Sequence, residues 1–329
     1  MWPSELKLPD LPRELERLLA QIPQGRVTTY GDLADALGTR SASRWVGEYL
    51  LHHPHDEFCA CHRVVLATGE LGRFIEAAPV KKRRLRDESV DTRGGRVDLD
   101  RLRFCDFKTT RPLAALVASQ EALRERTRVT PFRRTPKLVG GIDVAYTSAG
   151  DAVGAYVLLD SQTGRVTWSS TMRGRVSLPY IPGLLSFRES PLMLALLDKV
   201  RREDKLASVV FVDGNGLLHP RRAGIATQVG VLGDVRTIGI GKKLLCGSVD
   251  LKDMRANEPR PVLHQDCLIG MAVKSNDASK PIFVSVGHDI DLADAVRLTY
   301  RLFHGHRLPE AIHQADFLTR QAARAETSG

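Results

Sequence analysis

Leu138-Val-Gly-Gly-Ile-Asp-Val-Ala-Tyr146, Ala152-Val-Gly-Ala-Tyr-Val-Leu-Leu-Asp160 and Gly164-Arg-Val-Thr-Trp-Ser-Ser-Thr-Met172 are the runs whose reading decides the fold. Each is short and rich in β-branched and aromatic residues. Ser148-Ala-Gly-Asp151 and Ser161-Gln-Thr-Gly164, both of turn composition, separate them. Three such runs in succession predict an antiparallel meander.

Beyond residue 172 the pattern changes to alternating helices and strands. The periodicity predicts a helix over 191–202, a buried strand over 208–212, a helix over 224–232, strands over 237–240 and 281–286, and a helix over 292–304. A meander followed by such units predicts an α/β fold of the ribonuclease H type, a mixed sheet with flanking helices, better than a doubly wound sheet. An amphipathic helix over 112–126 opens this domain.

Toward the N-terminus, helical spacing covers 11–19, Pro23-Gln-Gly25 breaks it, and a short strand-like run follows over 26–30. A helix over 32–37 ends at Gly38, and a third begins near Ser41 or Ser43 as cap and carries Arg44. This predicts a small, mainly α, winged-helix unit over 1–91. A linker rich in Asp, Arg and Gly spans 92–107, and the α/β domain spans 108–329.

The 329 residues carry a net charge of +9, which favours a polyanionic partner. The first 105 residues nearly balance, so most of the excess lies in the larger domain, although Lys81-Lys-Arg-Arg-Leu-Arg86 is a dense run. Either a solvated helix face or a phosphate contact accounts for that run. Five cysteines without a regular framework predict a reducing compartment, and with no signal peptide the expected location is the cytoplasm. No apolar run approaches the roughly 20 residues of a spanning helix, so no membrane partner is expected. Nothing marks an obligate protein partner.

Leu178-Pro-Tyr-Ile-Pro-Gly-Leu-Leu-Ser-Phe-Arg-Glu-Ser-Pro191 reads as a stiff apolar turn that runs into a helix start carrying Glu189. Asp143 lies inside an apolar strand, where an unpaired charge is costly, and Asp213 ends the strand run Val209-Val-Phe-Val-Asp213. Three acids at strand ends and a helix start can converge on one sheet edge and hold Mg²⁺, a hard cation suited to carboxylate oxygens. A cation there serves phosphodiester hydrolysis. Lys242 can neutralise a phosphate, His288 can orient water or shuttle a proton, and His219 and Arg221 can bind backbone phosphates. Gly214, Gly216 and Gly239 would let a base approach the main chain. Taken singly, a histidine such as His288 or His219 is more often a hydrogen-bonded structural residue, and the plain alternative for Tyr180 is loop packing against the core.

With these blocks in this order, residues 112–320 resemble endonuclease V, the repair nuclease of deaminated purines. The resemblance implies that Asp143 and Asp213 bind Mg²⁺, for which Mn²⁺ substitutes, and that Glu189, Lys242 and His288 complete the catalytic set. Tyr180, Ile181, Pro182 and Gly183 would form the strand-separating wedge. A flipped hypoxanthine would enter a pocket that includes Leu185, Gly214, Gly216, Gly239 and Leu245. The implied reaction cuts the second phosphodiester bond 3′ to deoxyinosine; cleavage of inosine in RNA is the alternative. Asp289 departs from the family, which usually carries a base there.

Ile22-Pro-Gln-Gly-Arg-Val-Thr-Thr-Tyr-Gly-Asp-Leu-Ala34 and Ala60-Cys-His-Arg-Val-Val65 resemble the DNA-binding domain of O6-alkylguanine-DNA alkyltransferases and their alkyltransferase-like relatives. The resemblance implies Cys61 as alkyl acceptor, His62 as the base that draws off its proton, Glu88 as the orienting acid, Arg44 as the residue filling a flipped base's gap, and Tyr30 as the residue crowding the phosphate. Ala60, His53, Phe74 and Ile75 depart from the pattern. Suicide alkyl transfer and lesion sensing without transfer both remain open. The expected partners are DNA with deaminated or alkylated purines, and RNA.

Overall fold

The computed structural model describes residues 8–132, 134–148 and 150–324. By compactness they divide into two units. Leu8–Ala118 with Leu178–Leu184 form one, and Ser119–Ser177 with residues 185–324 form the other.

The first unit contains α1 (Leu11–Leu19), β1 (Thr28–Thr29), α2 (Tyr30–Leu37), α3 (Ser43–Tyr49), β2 (Val64–Val65), α4 (Ala78–Asp87) and α5 (Leu99–Leu102). The strand expected over 26–30 is shorter because Thr29 caps α2. Its hydroxyl accepts from the Asp32 amide while the Asp32 carboxylate accepts from the Thr29 amide, a reciprocal capping box. The expected Ser41 or Ser43 cap of α3 is not used. The 3-10 turn Arg40–Ala42 runs straight into α3, and the Ser41 hydroxyl bonds Thr39 instead.

The segment expected as a linker is folded onto this unit. Val27 donates to the Leu102 carbonyl and Phe104 donates to that of Val27. Val97 is buried with Val27, Val65, Leu85 and Val90. Arg103 clamps Asp32 at 2.5 Å. Its few apolar residues suffice because they enter a core already present. The basic run is also divided: Lys81 is 1 % exposed and donates to the carbonyls of Val64, Leu71 and Arg73, which tie α4 to the strand and the loop beyond it.

Along the chain, α6 (Pro112–Glu125) precedes the strands of the second unit: β3 (Leu138–Tyr146), β4 (Ala152–Asp160) and β5 (Val166–Gly174). Then come α7 (Leu185–Arg202), β6 (Val209–Asp213), α8 (Ile225–Gly233), β7 (Arg236–Gly241), β8 (Arg260–His264), β9 (Cys267–Val273), β10 (Ile282–His288), α9 (Leu292–Arg301) and α10 (Glu310–Arg324). The strands form one sheet in the order β5-β4-β3-β6-β7-β10-β9-β8. Pairing is parallel between β3 and β6 and between β6 and β7, and antiparallel elsewhere. The meander and the mixed sheet therefore stand as expected.

Both faces are covered, which is why β6 is apolar on consecutive positions. Val209 and Phe211 join the core under α9 and α10. Val210 and Val212 join the core under α7 and α8. Helix α7 starts at Leu185, six residues before the Pro191 start that the sequence suggested, so Pro191 lies inside it. The Ser190 hydroxyl, 2.5 Å from the Ser186 carbonyl, receives the Gln228 amide at 2.7 Å and braces the helix beside the proline.

Candidate active site

Parallel pairing of β3 with β6 puts Ile142 beside Val212, so the next residues, Asp143 and Asp213, are neighbours on one face. Both alternate with residues of the α7 face and therefore point to the α10 face. Pairing of β6 with β7 sets Asp213 against Ile240, and Lys242 follows two residues later on the same side. From above, α10 contributes Asp316. One carboxylate oxygen each from Asp143, Asp213 and Asp316 lie within 4.8 Å of one another. The Lys242 ammonium bridges Asp213 at 2.5 Å and Asp316 at 2.9 Å, and the Thr319 hydroxyl donates to Asp143 at 2.9 Å.

Burial pushes the Asp143 carboxyl well above the usual range, and the facing Asp213 adds to it. For Lys242, burial opposes the charge, but Asp213, Asp316 and Asp143 outweigh it and hold the ammonium above its ordinary value. Three converging carboxylate oxygens with one cation already among them fit a hard divalent ion. Oxygen donors without thiolate or imidazole favour Mg²⁺ or Mn²⁺ over softer metals.

Glu189 reaches the same end of the sheet from the other face. It is 8 % exposed and accepts the Tyr146 hydroxyl at 2.7 Å. Burial raises its carboxyl to about 7; the Tyr146 bond pulls it down, and the Asp213 charge pushes it up. The Arg188 guanidinium lies 4.4 Å from the Tyr146 ring centre.

His288 does not join this group. It ends β10, which runs antiparallel to β7, so it pairs with Thr237 at the start of β7, opposite the end that leads to Lys242. There its Nδ1 accepts the Arg128 amide at 3.3 Å, and burial with the Arg128 charge depresses its pKa. His219 is 4 % exposed, and its Nδ1 accepts the Arg221 amide at 3.2 Å, so the ring shapes a turn. Arg221 is half-buried and bonds Gln120 at 2.7 Å.

The glycines serve packing between backbone segments. A Cβ on Gly216 would stand 2.0 Å from the Val286 carbonyl oxygen, and one on Gly239 would stand 2.5 Å from the Gly216 nitrogen. The Gly214 amide donates to Ile240 and the Gly216 amide to Ser285, so neither is spare for a base. Asn215 between them has a buried Oδ1 with no partner among the described residues. Leu185 is half-buried and Leu245 is 48 % exposed.

In the 178–184 segment Tyr180 is 55 % exposed, whereas Leu178, Ile181 and Leu184 are buried. Ile181 is thus an anchor and not part of the exposed tip. The Leu184 amide closes a turn on the Ile181 carbonyl at 2.9 Å, with Pro182 and Gly183 (φ 79°) at its corner, the residues a type II turn needs.

In the first unit, Glu88 caps α4 and gathers His62 at 2.8 Å, Arg63 at 2.7 Å and the Gly25 amide at 3.2 Å. Burial opposes its charge, yet these donors hold the carboxyl below its ordinary value. The His62 Nδ1 faces the Cys59 carbonyl at 3.2 Å, so both ring nitrogens face oxygens and neither is aimed at the Cys61 thiol. Instead, the His55 Nδ1 lies 3.4 Å from the Cys61 sulfur. Hydrogen bonding with Cys59 and burial push the Cys61 thiol up. Tyr30, whose hydroxyl donates to the Arg73 carbonyl, and the exposed Arg44 line a 720 Å³ groove.

The family description "Endonuclease V" matches residues 121–317, more than half of the chain. The chain belongs to the endonuclease V family. A second description, "6-O-methylguanine DNA methyltransferase, DNA binding domain", matches residues 11–90. The bifunctional methyltransferase/endonuclease of Picrophilus torridus is 37 % identical over 240 residues, 73 % of this chain and 77 % of that one. Endonuclease V of Streptomyces coelicolor is 43 % identical over 187 residues, 56 % of this chain and 79 % of that one. Ciona intestinalis endonuclease V, solved as a D234N variant with DNA containing an inosine followed by a ribo-adenosine, is 26 % identical with a TM-score of 0.60 over 66 % of this chain and 99 % of that one. The chain is a DNA-repair endonuclease with an N-terminal alkyltransferase-like domain.

Within the endonuclease V domain, two site residues escaped the sequence reading. Asp316 lies in a C-terminal helix that drew no assignment, although Thr319 one turn on signals the same inward face. Tyr146 ends the quoted strand, and its position two residues beyond Val144 already put it on the face opposite Asp143. No helix among the described residues is long and apolar enough to cross a membrane.

Proposed function

We propose that this endonuclease V cuts DNA at deaminated purines, chiefly deoxyinosine, hydrolysing the second phosphodiester bond 3′ to the lesion. The observation that carries this reading is the convergence of Asp143, Asp213 and Asp316 with Lys242 at one sheet edge, beside a buried Glu189. The inosine-containing DNA bound by the Ciona relative supports the substrate class.

In this reading Asp143, Asp213 and Asp316 hold Mg²⁺, with Mn²⁺ as a substitute. When bound, the cation supplies charge stabilisation at the phosphate and lowers the pKa of water. The Lys242 ammonium, beside Asp213 and Asp316, would neutralise a phosphate oxygen of the substrate. Glu189 can take or release a proton near neutral pH, and Tyr146 fixes which oxygen is free to do so. Tyr180, exposed on a turn anchored by Ile181 and Leu184, enters the duplex and offsets the cost of unstacking the lesion. Arg221 remains a phosphate contact from its half-buried place.

The N-terminal domain binds DNA and senses O6-alkylated guanine without transferring the alkyl group. What favours this over suicide transfer is that the other His62 ring nitrogen faces the Cys59 carbonyl and not the Cys61 thiol, together with the raised Cys61 thiol. The protein works in the cytoplasm.

Duplexes with one deoxyinosine, with an ordinary purine, and RNA with one inosine are incubated with the protein, with Mg²⁺ and with chelator. Nicking of the first alone, and only with Mg²⁺, is expected. Preferential cutting of the RNA would replace DNA as substrate, and an intact deoxyinosine strand would sink the reading. A mass gain on Cys61 after exposure to O6-methylguanine DNA would overturn the sensing role.

A further inference from the structure

We propose that His53, His55, Cys59 and Cys61 form a zinc site. All four come from the N-terminal unit, and the proposal is independent of the endonuclease reading. His53 and His55 lie in the turn after α3. Cys59 and Cys61 lie at the start of the 3-10 turn Ala60–Arg63. One donor atom from each of the four lies within 4.8 Å of all the others. The His53 Nε2 is 3.2 Å from the Cys59 sulfur, and the His55 Nδ1 is 3.4 Å from the Cys61 sulfur. Zinc–sulfur bonds of about 2.3 Å and zinc–nitrogen bonds of about 2.0 Å in a tetrahedron put neighbouring donors roughly 3.3 to 3.8 Å apart. The His53–Cys59 and His55–Cys61 pairs are close to this, and no donor pair exceeds 4.8 Å.

The surroundings orient the same atoms. The His53 Nδ1 lies 3.1 Å from the Leu50 carbonyl, which needs its proton there and leaves the Nε2 lone pair facing the sulfurs. The His55 Nε2, otherwise buried without a hydrogen-bond partner among the described residues, stands 3.6 Å from the Glu76 carboxylate, while its Nδ1 faces the cluster. An imidazole oriented by a carbonyl or carboxylate behind it is the usual outer support of a metal-bound histidine. Two thiols with two imidazoles select a soft or borderline ion, unlike the all-oxygen Asp143 cluster. A 380 Å³ pocket lined by His53, Asp56, Phe58 and Cys59 gives a way in. Ligation makes the Cys61 sulfur a structural thiolate tied to the loop before it, so the turn that carries Cys61 is set by the ion.

Full-length protein purified with reductant is dialysed against Mg²⁺ buffer with trace Zn²⁺, and its metal content is measured by mass spectrometry. One zinc per chain is expected in the wild type and in Asp143→Ala, and none in Cys59→Ser or His55→Ala. Because those variants can lose their fold, Co²⁺ is also exchanged into the wild type. Thiolate-to-cobalt charge-transfer bands with intense tetrahedral d–d bands are expected. No retained zinc in the reduced wild type, weak octahedral cobalt bands, retention in Cys59→Ser with loss in Asp143→Ala, or a Cys59–Cys61 disulfide surviving in reductant would each overturn the site.

Discussion

Asp143 and Asp213 stand side by side on adjacent parallel strands, one step past the paired Ile142 and Val212, and face the same helix. The Lys242 ammonium bonded to Asp213 offsets only part of their repulsion, and the Asp143 carboxyl stays raised. In chelator, Asp143→Asn should therefore melt above the wild type, by about 1 kcal/mol for one relieved charge contact. In Mg²⁺ the order should reverse, because only the wild type gains binding free energy. Calorimetry with and without Mg²⁺ checks this; an equal Mg²⁺ shift in both proteins would remove Asp143 from the metal site.

Asp316→Asn should raise the Mg²⁺ concentration needed for half-maximal cutting by roughly 10-fold or more, since it loosens both a ligand and its Lys242 partner. His288→Ala should leave that concentration unchanged. Its cost should be stability, about 1–3 kcal/mol, from the Arg128 amide left without its acceptor. Metal titrations of nicking on both variants separate the two histories.

Burial lifts the Glu189 carboxyl from 4.5 to about 7. A raised folded pKa means that the folded state holds the proton more tightly than the unfolded state. Its contribution to stability is then fully present below pH 4.5 and is lost as pH rises toward 7, by up to roughly 3 kcal/mol. Melting curves of the metal-free wild type across this window should fall relative to those of Glu189→Gln. Parallel curves would place the ionisation elsewhere. Tyr146→Phe removes the bond that lowers this carboxyl's pKa, so the acidic limb of its cutting profile should move to higher pH.

Tyr180→Ala should reduce cutting of duplex deoxyinosine by about 10-fold or more, as expected if the ring offsets part of a few kcal/mol of unstacking. On single-stranded deoxyinosine substrate the loss should be small. Thermal stability should not change, because the side chain is 55 % exposed and the turn is held by Ile181 and Leu184. Equal losses on both substrates would assign the ring a different task.

The sequence disclosed what local pattern controls and missed what strand direction controls. The meander, the apolar β6 and the position of Asp143 in a strand were all readable from period and turn composition. His288 was misplaced because a histidine at a strand end reads the same whichever way the strand runs, and β10 runs antiparallel to β7. Gly216 and Gly239 were open to two readings, since a missing Cβ admits a neighbouring backbone as readily as a base. Strands β8 and β9 went unread. In β8 only Val262 and Leu263 are aliphatic, between Arg260-Pro261 and His264, so its period is too short to read. Helix α7 began early because Pro191, usually a helix opener, is tolerated where Ser186, Ser190 and Gln228 brace the turn.

The acid cluster takes its members from positions 143, 213 and 316, and the last of them rides on α10. During synthesis the first two carboxylates can be positioned by the sheet long before the third exists. A chain still attached to the ribosome short of Asp316 would carry a DNA-binding domain and most of the nuclease while lacking the full ligand set. Assembly of the acid cluster therefore waits on α10, the last element in chain order.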